Sequence, residues 1–171
     1  MIIIIGLIIS IMLVVIDQMS KVLISTGLGV GNPVVLIPNI LQINGAYNTG
    51  AAFSMFNTHT LLLGIISLIA FIGITYLFKD FSLKRRPLYN IALILIYSGI
   101  IGNMIDRLFN PLGVFDFIEF LFVNFAIFNI ADSYLTIGVI LMAIYLLFFD
   151  KKDPISLKFN KKEFIEKFKR N

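Results

Sequence analysis

Cysteine is absent from the chain, which removes disulfides, thiol nucleophiles and thiolate metal sites. Histidine occurs once, at His59, so a zinc site of the usual His/Cys kind is nearly excluded. His59 stands at the start of an apolar run and reads as an interfacial or loop residue. Charge is equally scarce: 14% of the 171 residues are charged and 58% are hydrophobic. A soluble domain of this size could not cover itself with so few charges.

What the chain has instead is four long apolar segments. Met1–Ile16 carries no charged side chain and can continue as helix through Val22, Leu23 and Ile24, while Thr60–Phe78, Pro87–Ile105 and Ser133–Phe149 contain no charged residue. A spanning helix needs about 20 apolar residues, with a range of roughly 17–25. The first segment lacks the basic n-region and A-x-A site of a cleaved signal peptide and reads as a retained helix. Twelve of the 14 basic residues fall either in the loop Lys79–Pro87 or in the tail after Asp150. With four spans, loop and tail share a side, and the charge bias makes that side cytoplasmic. Residues of roughly 25–58 and 106–131 then face outward. Residues 1–150 are expected to form a single four-helix membrane domain, and 151–171 a basic cytoplasmic tail.

The other two basic residues, Lys21 and Arg107, lie at the outward ends of the first and third helices. Asp17 and Lys21 are spaced i,i+4, as are Asn103 and Arg107, with Asp106 one step round. Asn129 and Asp132 are spaced i,i+3 at the start of the fourth helix. An Asp at the centre of a spanning helix costs about 2.5–3.5 kcal/mol on insertion scales, so intramembrane ionisable groups are functional candidates by default. Any one pair is equally well explained as a helix-end anchor; their clustering on one leaflet is not. In the first outward loop Val34–Ile37 and Ile40–Ile43, separated by Pro38-Asn39, read as a small sheet. It serves either as a platform for an extended peptide or as a lid on the bundle.

Four motifs in order then carry a resemblance. Asp17-Gln18-Met19-Ser20-Lys21, Asn48-Thr49-Gly50-Ala51-Ala52-Phe53, Gly102-Asn103-x-x-Asp106-Arg107 with Val114-x-Asp116-Phe117, and Phe128-Asn129-x-Ala131-Asp132 resemble the lipoprotein signal peptidases (signal peptidase II). The likeness runs from residue 1 to about 150. Departures are Ile100-Ile101 before the third motif, Asn110-Pro111 in the connector to Asp116, and a short segment between Asp116 and Asp132. The resemblance implies a four-helix, all-α bacterial inner-membrane protein with both termini cytoplasmic and a small extracytoplasmic β-element between helices 1 and 2. It also implies an aspartic endopeptidase, sensitive to the cyclic peptide globomycin. That enzyme removes the signal peptide from diacylglyceryl-modified prolipoproteins, cutting on the amino side of the lipidated cysteine. Asp116 and Asp132 match the catalytic pair. Asn48, Asn103, Arg107 and Asn129 match polar residues around the site, and Asp17 and Lys21 match the pair near the end of the first helix. No metal or cofactor is implied. The expected partners are lipidated prolipoproteins and membrane lipids, not nucleic acid, with the chain acting as a monomer.

The residues themselves agree with that chemistry. Without thiol or metal, paired carboxylates are the plausible hydrolytic machinery: one activates water while its protonated partner polarises the carbonyl. Which one holds the proton belongs to the pair and stays open. Asp116 lies in an extended segment among Phe115, Phe117 and Phe120, whereas Asp132 begins a helix whose N–H groups favour its charge. Asp106 is expected to pair with Arg107 or cap the helix end, and Glu119 to be a solvated loop residue. A Ser–Lys mechanism fails on geometry, because Ser20 and Lys21 are adjacent and point apart. In the tail, Asn160 with Glu163 is capping-box-like, and Leu157, Phe164, Ile165 and Phe168 fall near one face. That is either a lipid-binding basic helix or a disordered positive tail. A transporter would place its carboxylates near the midplane on broken helices, and an assembly protein would need a packing face but no paired Asp.

The charge bias predicts that single cysteines near Lys84 and Lys161 resist membrane-impermeant thiol reagents in intact cells while one near Asn57 reacts. Labelling at Lys84 from outside would overturn the orientation.

Overall fold

The computed structural model describes residues 2–50, 60–82 and 86–149. His59, the Ala51-Ala52-Phe53 part of the second motif and the tail from Asp150 onward lie outside the described residues. Four helices form from the four apolar segments: α1 (Ile2–Gly27), α2 (Thr60–Leu77), α3 (Pro87–Phe109) and α4 (Ile130–Phe148). Each is long and apolar enough to cross a membrane.

α3 is the central helix. Its most apolar stretch is 61% buried, against 22% for α1, 11% for α2 and 22% for α4. Its composition explains the position, because Asn90, Ser98, Gly99, Gly102, Asn103 and Asp106 all lie inside. Small residues let the backbones approach, the usual device where lipid supplies no hydrophobic drive between helices. A Cβ on Gly99 would stand 2.5 Å from the Ala131 carbonyl oxygen, and one on Gly102 would stand 2.7 Å from Asp17 Oδ2. The faces of α1 and α4 turned away from α3 expose Ile, Leu, Val and Met, as a lipid-facing surface should.

One end of the bundle is an aromatic plug. Phe78, Phe81, Tyr89, Leu93, Tyr97 and Tyr145 pack together there, and the Tyr89 hydroxyl donates to the Leu77 carbonyl at 2.8 Å. Gly6 of α1 lies against Phe81 and Tyr145 of α4 against Tyr89, so the start of α1 and the end of α4 share this end with the α2–α3 connection.

The other end carries a three-stranded antiparallel sheet, β1 (Val34–Ile37), β2 (Leu41–Asn48) and β3 (Val114–Phe120), in that order. The sequence places the β-element in the first loop alone. The structure corrects this: β3 comes from the second polar island and pairs with β2, Ala46 opposite Asp116 and Gln42 opposite Glu119. Asn39 takes a left-handed φ of 61° in the β1–β2 turn, a conformation that Asn tolerates. Gly113, at φ 90°, lets the α3–β3 turn pass against the backbone of Asn48, where a Cβ would lie 2.5 Å from the carbonyl oxygen.

Since Gly99 meets the Ala131 carbonyl oxygen as well as the branch point of Leu135, Gly99→Ala must push α3 from the start of α4. Overpacking of this kind costs about 1–3 kcal/mol. A lower Tm in detergent is expected, and an unchanged Tm would deny the close approach.

Candidate active site

Asp116 sits mid-strand in β3, between the flat edge of β2 and the returning chain. The amides of Phe117 and Ile118 donate to the Phe128 carbonyl at 3.0 and 2.8 Å, and Phe128 N–H donates to the Ile118 carbonyl at 3.0 Å. That bridge is why so short a segment suffices between the two aspartates: the chain turns back on β3 and enters α4 beside it. Strand alternation turns Phe115 and Phe117 to the face opposite Asp116, while Phe120 shares its side. Of the three phenylalanines expected round the carboxyl, Phe120 is the one that lines its cavity.

Asn129 is the N-cap of α4 and Asp132 its third residue, joined in a reciprocal capping box. Asp132 N–H donates to Asn129 Oδ1 at 3.0 Å, and Asn129 N–H donates to Asp132 Oδ2 at 3.1 Å. The Asn129 side chain then links outward, its Nδ2 donating to Asp116 Oδ1 at 2.6 Å and to Asn103 Oδ1 at 3.0 Å. Asn103 Nδ2 donates to Asp132 Oδ1 at 2.7 Å, and Asn48 Nδ2 to Asp116 Oδ2 at 3.0 Å. Three asparagines from three elements therefore hold two carboxylates. Behind Asn103, Lys21 pairs with Asp17 Oδ2 at 2.8 Å and with Asp106 Oδ2 at 2.7 Å. Asp17 Oδ1 accepts from Ala131 N–H at 2.8 Å, fixing α1 to the first turn of α4.

Asp116, Asp132, Asn48 and Arg107 open on one cavity of about 530 Å³, whose other wall is Phe120, Phe125, Phe128 and Ile137. Arg107 donates to Ser67 Oγ of α2 at 3.1 Å. Two expectations are corrected here. Asp106 pairs with Lys21 rather than Arg107, because residues 106 and 107 point to different sides of α3 and the buried ammonium lies on the first. Glu119 is a strand residue, its Oε2 accepting from Gln42 Nε2 at 2.6 Å and Asn44 Nδ2 at 2.7 Å, because β2 offers two amides at that register. Ser20 Oγ donates to the Asp17 carbonyl, the ordinary helical contact of a serine.

Sequence reasoning gave no role to Gln18 or Ser67. Gln18 Nε2 donates to the Gly102 carbonyl at 3.0 Å and to Asp17 Oδ2 at 3.1 Å, tying α1 to α3. A glutamine and a serine in otherwise apolar helices were the available signals.

Helices of spanning length round an amide-linked carboxylate pair, under a sheet at one end, define a multi-pass membrane protein with a hydrolase-like site. More specifically, the chain belongs to the signal peptidase II family: the family described as "Signal peptidase (SPase) II" matches residues 9–148. A lipoprotein signal peptidase of Lactobacillus johnsonii is 39% identical over 148 residues, 86% of this chain and 94% of that protein. One from Streptococcus agalactiae is 43% identical over 141 residues, 81% and 89% of the two chains. A solved structure described as a bacterial membrane enzyme at 2.3 Å resolution is similar with a TM-score of 0.75 and 34% identity, covering 90% of this chain and 93% of its own.

Burial pushes the Asp116 carboxyl up to about 7; the charge of Asp132 adds to the rise, and the Asn48 and Asn129 amides oppose it. An unfolded Asp titrates near 3.9, so the fold favours the protonated form. That contribution is complete below about pH 4 and is lost as pH rises through about 7. Tm in detergent is therefore expected to fall between about pH 5 and pH 8 more steeply for the parent than for Asp116→Asn. Equal slopes would remove the buried proton.

Proposed function

We propose that this chain is an aspartic endopeptidase that removes the signal peptide from diacylglyceryl-modified prolipoproteins, cutting on the amino side of the lipidated cysteine. Asp116 and Asp132 are its catalytic pair. The observation that carries the reading is the amide-linked pair at the mouth of a cavity with one polar and one apolar wall. Lipoprotein signal peptidase is also the name its relatives bear.

One carboxylate, ionised, takes a proton from water as the water oxygen bonds to the scissile carbonyl carbon. The other, protonated, hydrogen-bonds the carbonyl oxygen and gives up its proton as the tetrahedral diol forms. The first carboxyl then gives its proton to the amide nitrogen as the C–N bond breaks, while a diol hydroxyl returns its proton to the second carboxylate. The amine and the new carboxylic acid leave, and the shared-proton pair is restored. Asparagine donors suit this cycle. They orient carboxylates without neutralising them, as a paired lysine would. Arg107, at the cavity wall, is placed to hold an anionic or carbonyl group of the substrate.

The membrane placement belongs to the same reading: both termini and the 151–171 tail cytoplasmic, the pair at the extracytoplasmic face. In support, the start of α1, the end of α4, and Lys79 and Arg86 between α2 and α3 share the end of the bundle away from the pair.

Asp116→Asn and Asp132→Asn keep the shape of each side chain but cannot exchange a proton. Each is expected to insert and bind a lipidated precursor peptide yet lose cleavage by about 10³-fold or more, with the double variant little worse, because groups acting as a unit are not additive. Asp106→Asn and Glu119→Gln should cost less. A stable Asp132→Asn protein cleaving at the parent rate in detergent would return the polar islands to helix anchoring.

A further inference from the structure

Lys21 is a buried cation that touches neither member of the proposed pair. It is 4% exposed. An ammonium has three donors, and here they are all engaged: Asp17 Oδ2 at 2.8 Å, Asp106 Oδ2 at 2.7 Å and Asn103 Oδ1 at 3.2 Å. Two carboxylates from α1 and α3 thus hold the charge, and the third contact is spent on a neutral amide.

That third contact helps to fix which way Asn103 points. The amide has one oxygen and one NH2, and either could face Asp132 by a half-turn of the side chain. Lys21 Nζ and Asn129 Nδ2 both donate to the oxygen, at 3.2 and 3.0 Å. The flipped amide would set an NH2 against two donors and an oxygen against a carboxylate, leaving buried groups unpaired. With the ammonium in place, only the observed orientation is satisfied, and it sends Nδ2 to Asp132 Oδ1 at 2.7 Å. Remove the ammonium, and one of the three contacts that hold that orientation is gone. The same cluster also reaches α4 through the Asp17 contact to Ala131 N–H.

We propose that Lys21 is a positioning residue for the reaction: its ammonium fixes the orientation of the Asn103 amide, and through that amide the orientation of Asp132. It carries no reacting proton. The proposal rests on the reading of Asp116 and Asp132 as the catalytic pair. It makes Lys21 part of a chain of contact, from ammonium to amide to carboxylate, rather than a helix-end anchor.

The test is a double-mutant cycle on the full chain in detergent with a lipidated precursor peptide, following product over long incubations. Lys21→Met is expected to lower kcat by about 30-fold with KM within about twofold, the pattern of a group that matters only in the transition state. In an Asn103→Ala background the same change is expected to cost less than about threefold, because residues in one network are coupled. Should Lys21→Met fail to accumulate, Asp106→Asn keeps the lysine but loosens its hold. Its smaller loss, about fivefold, should likewise vanish in the Asn103→Ala background. Equal fold-losses in both backgrounds would mean that Lys21 acts through packing alone, and a raised KM with unchanged kcat would make it a substrate contact; either overturns the proposal. Failure of the catalytic-pair reading is seen separately, as turnover by Asp132→Asn at the parent rate.

Discussion

Carboxylates held inside a bundle of apolar helices must be matched by donors from the protein itself, because neither lipid nor a packed interior supplies them. Four such groups meet at one end of this chain, Asp17, Asp106, Asp116 and Asp132. The donors are one ammonium, four side-chain amides and the backbone N–H groups at the start of α4. The allocation is uneven. The single cation is shared by Asp17 and Asp106, with the Gln18 amide beside them, whereas Asp116 and Asp132 are in direct contact with amides and no cation. A shared cation stabilises the first two as structure. Amides without a cation leave Asp116 favouring its proton, as its raised pKa reflects.

Much of the architecture follows from delivering those donors. Asn103 must touch α1, α4 and Asn129 at once, so the helix that bears it has to run through the middle, and its glycines let α1 and α4 close on it. Gly102 sits against Asp17 and Ala131, the two ends of the contact that fastens α1 to α4. The sheet does the corresponding work from outside, since Asn48 on β2 and Asp116 on β3 come within reach through the pairing of those strands.

The helices were legible in the sequence because spanning segments advertise themselves by length and by absence of charge. Only the charge-free runs stop short of the helix ends beside the site: α3 continues through Asp106 and Arg107, which their spacing had already placed on it, to Phe109, and α4 starts at Ile130. Polar residues at an interface still complete helical hydrogen bonds, so charge marks the edge of the lipid and not the edge of the helix. The polar residues of the site were legible as types at helical spacings. Their partners were not. Asp106 has Arg107 beside it in sequence, yet its counter-ion comes from residue 21. β3 was legible as an extended segment around Asp116, but its pairing with β2 joins residues more than 65 positions apart, and no local pattern encodes that register. Glu119 was misread for the same reason, since only the register puts Gln42 and Asn44 beside it.

The pair is over-determined before any substrate arrives. Asp116 is held by a strand bonded along both edges, to β2 on one side and to Phe128 on the other. Asp132 is held by a capping box, and the Asn129–Asn103 contact joins the two. In a hydrolysis in which charge moves between two carboxylates and a carbonyl, donors already in place need no reorganisation at the moment of reaction, which is where electrostatic catalysis gains most. The wall of Phe120, Phe125, Phe128 and Ile137 has the opposite character, offering apolar surface and few directional contacts. A rigid polar floor under an apolar wall divides the labour: the floor fixes where a peptide bond must lie, and the wall takes whatever apolar bulk is attached to it. That division is what the proposed reading asks of the cavity, a lipid-bearing peptide cut at one bond.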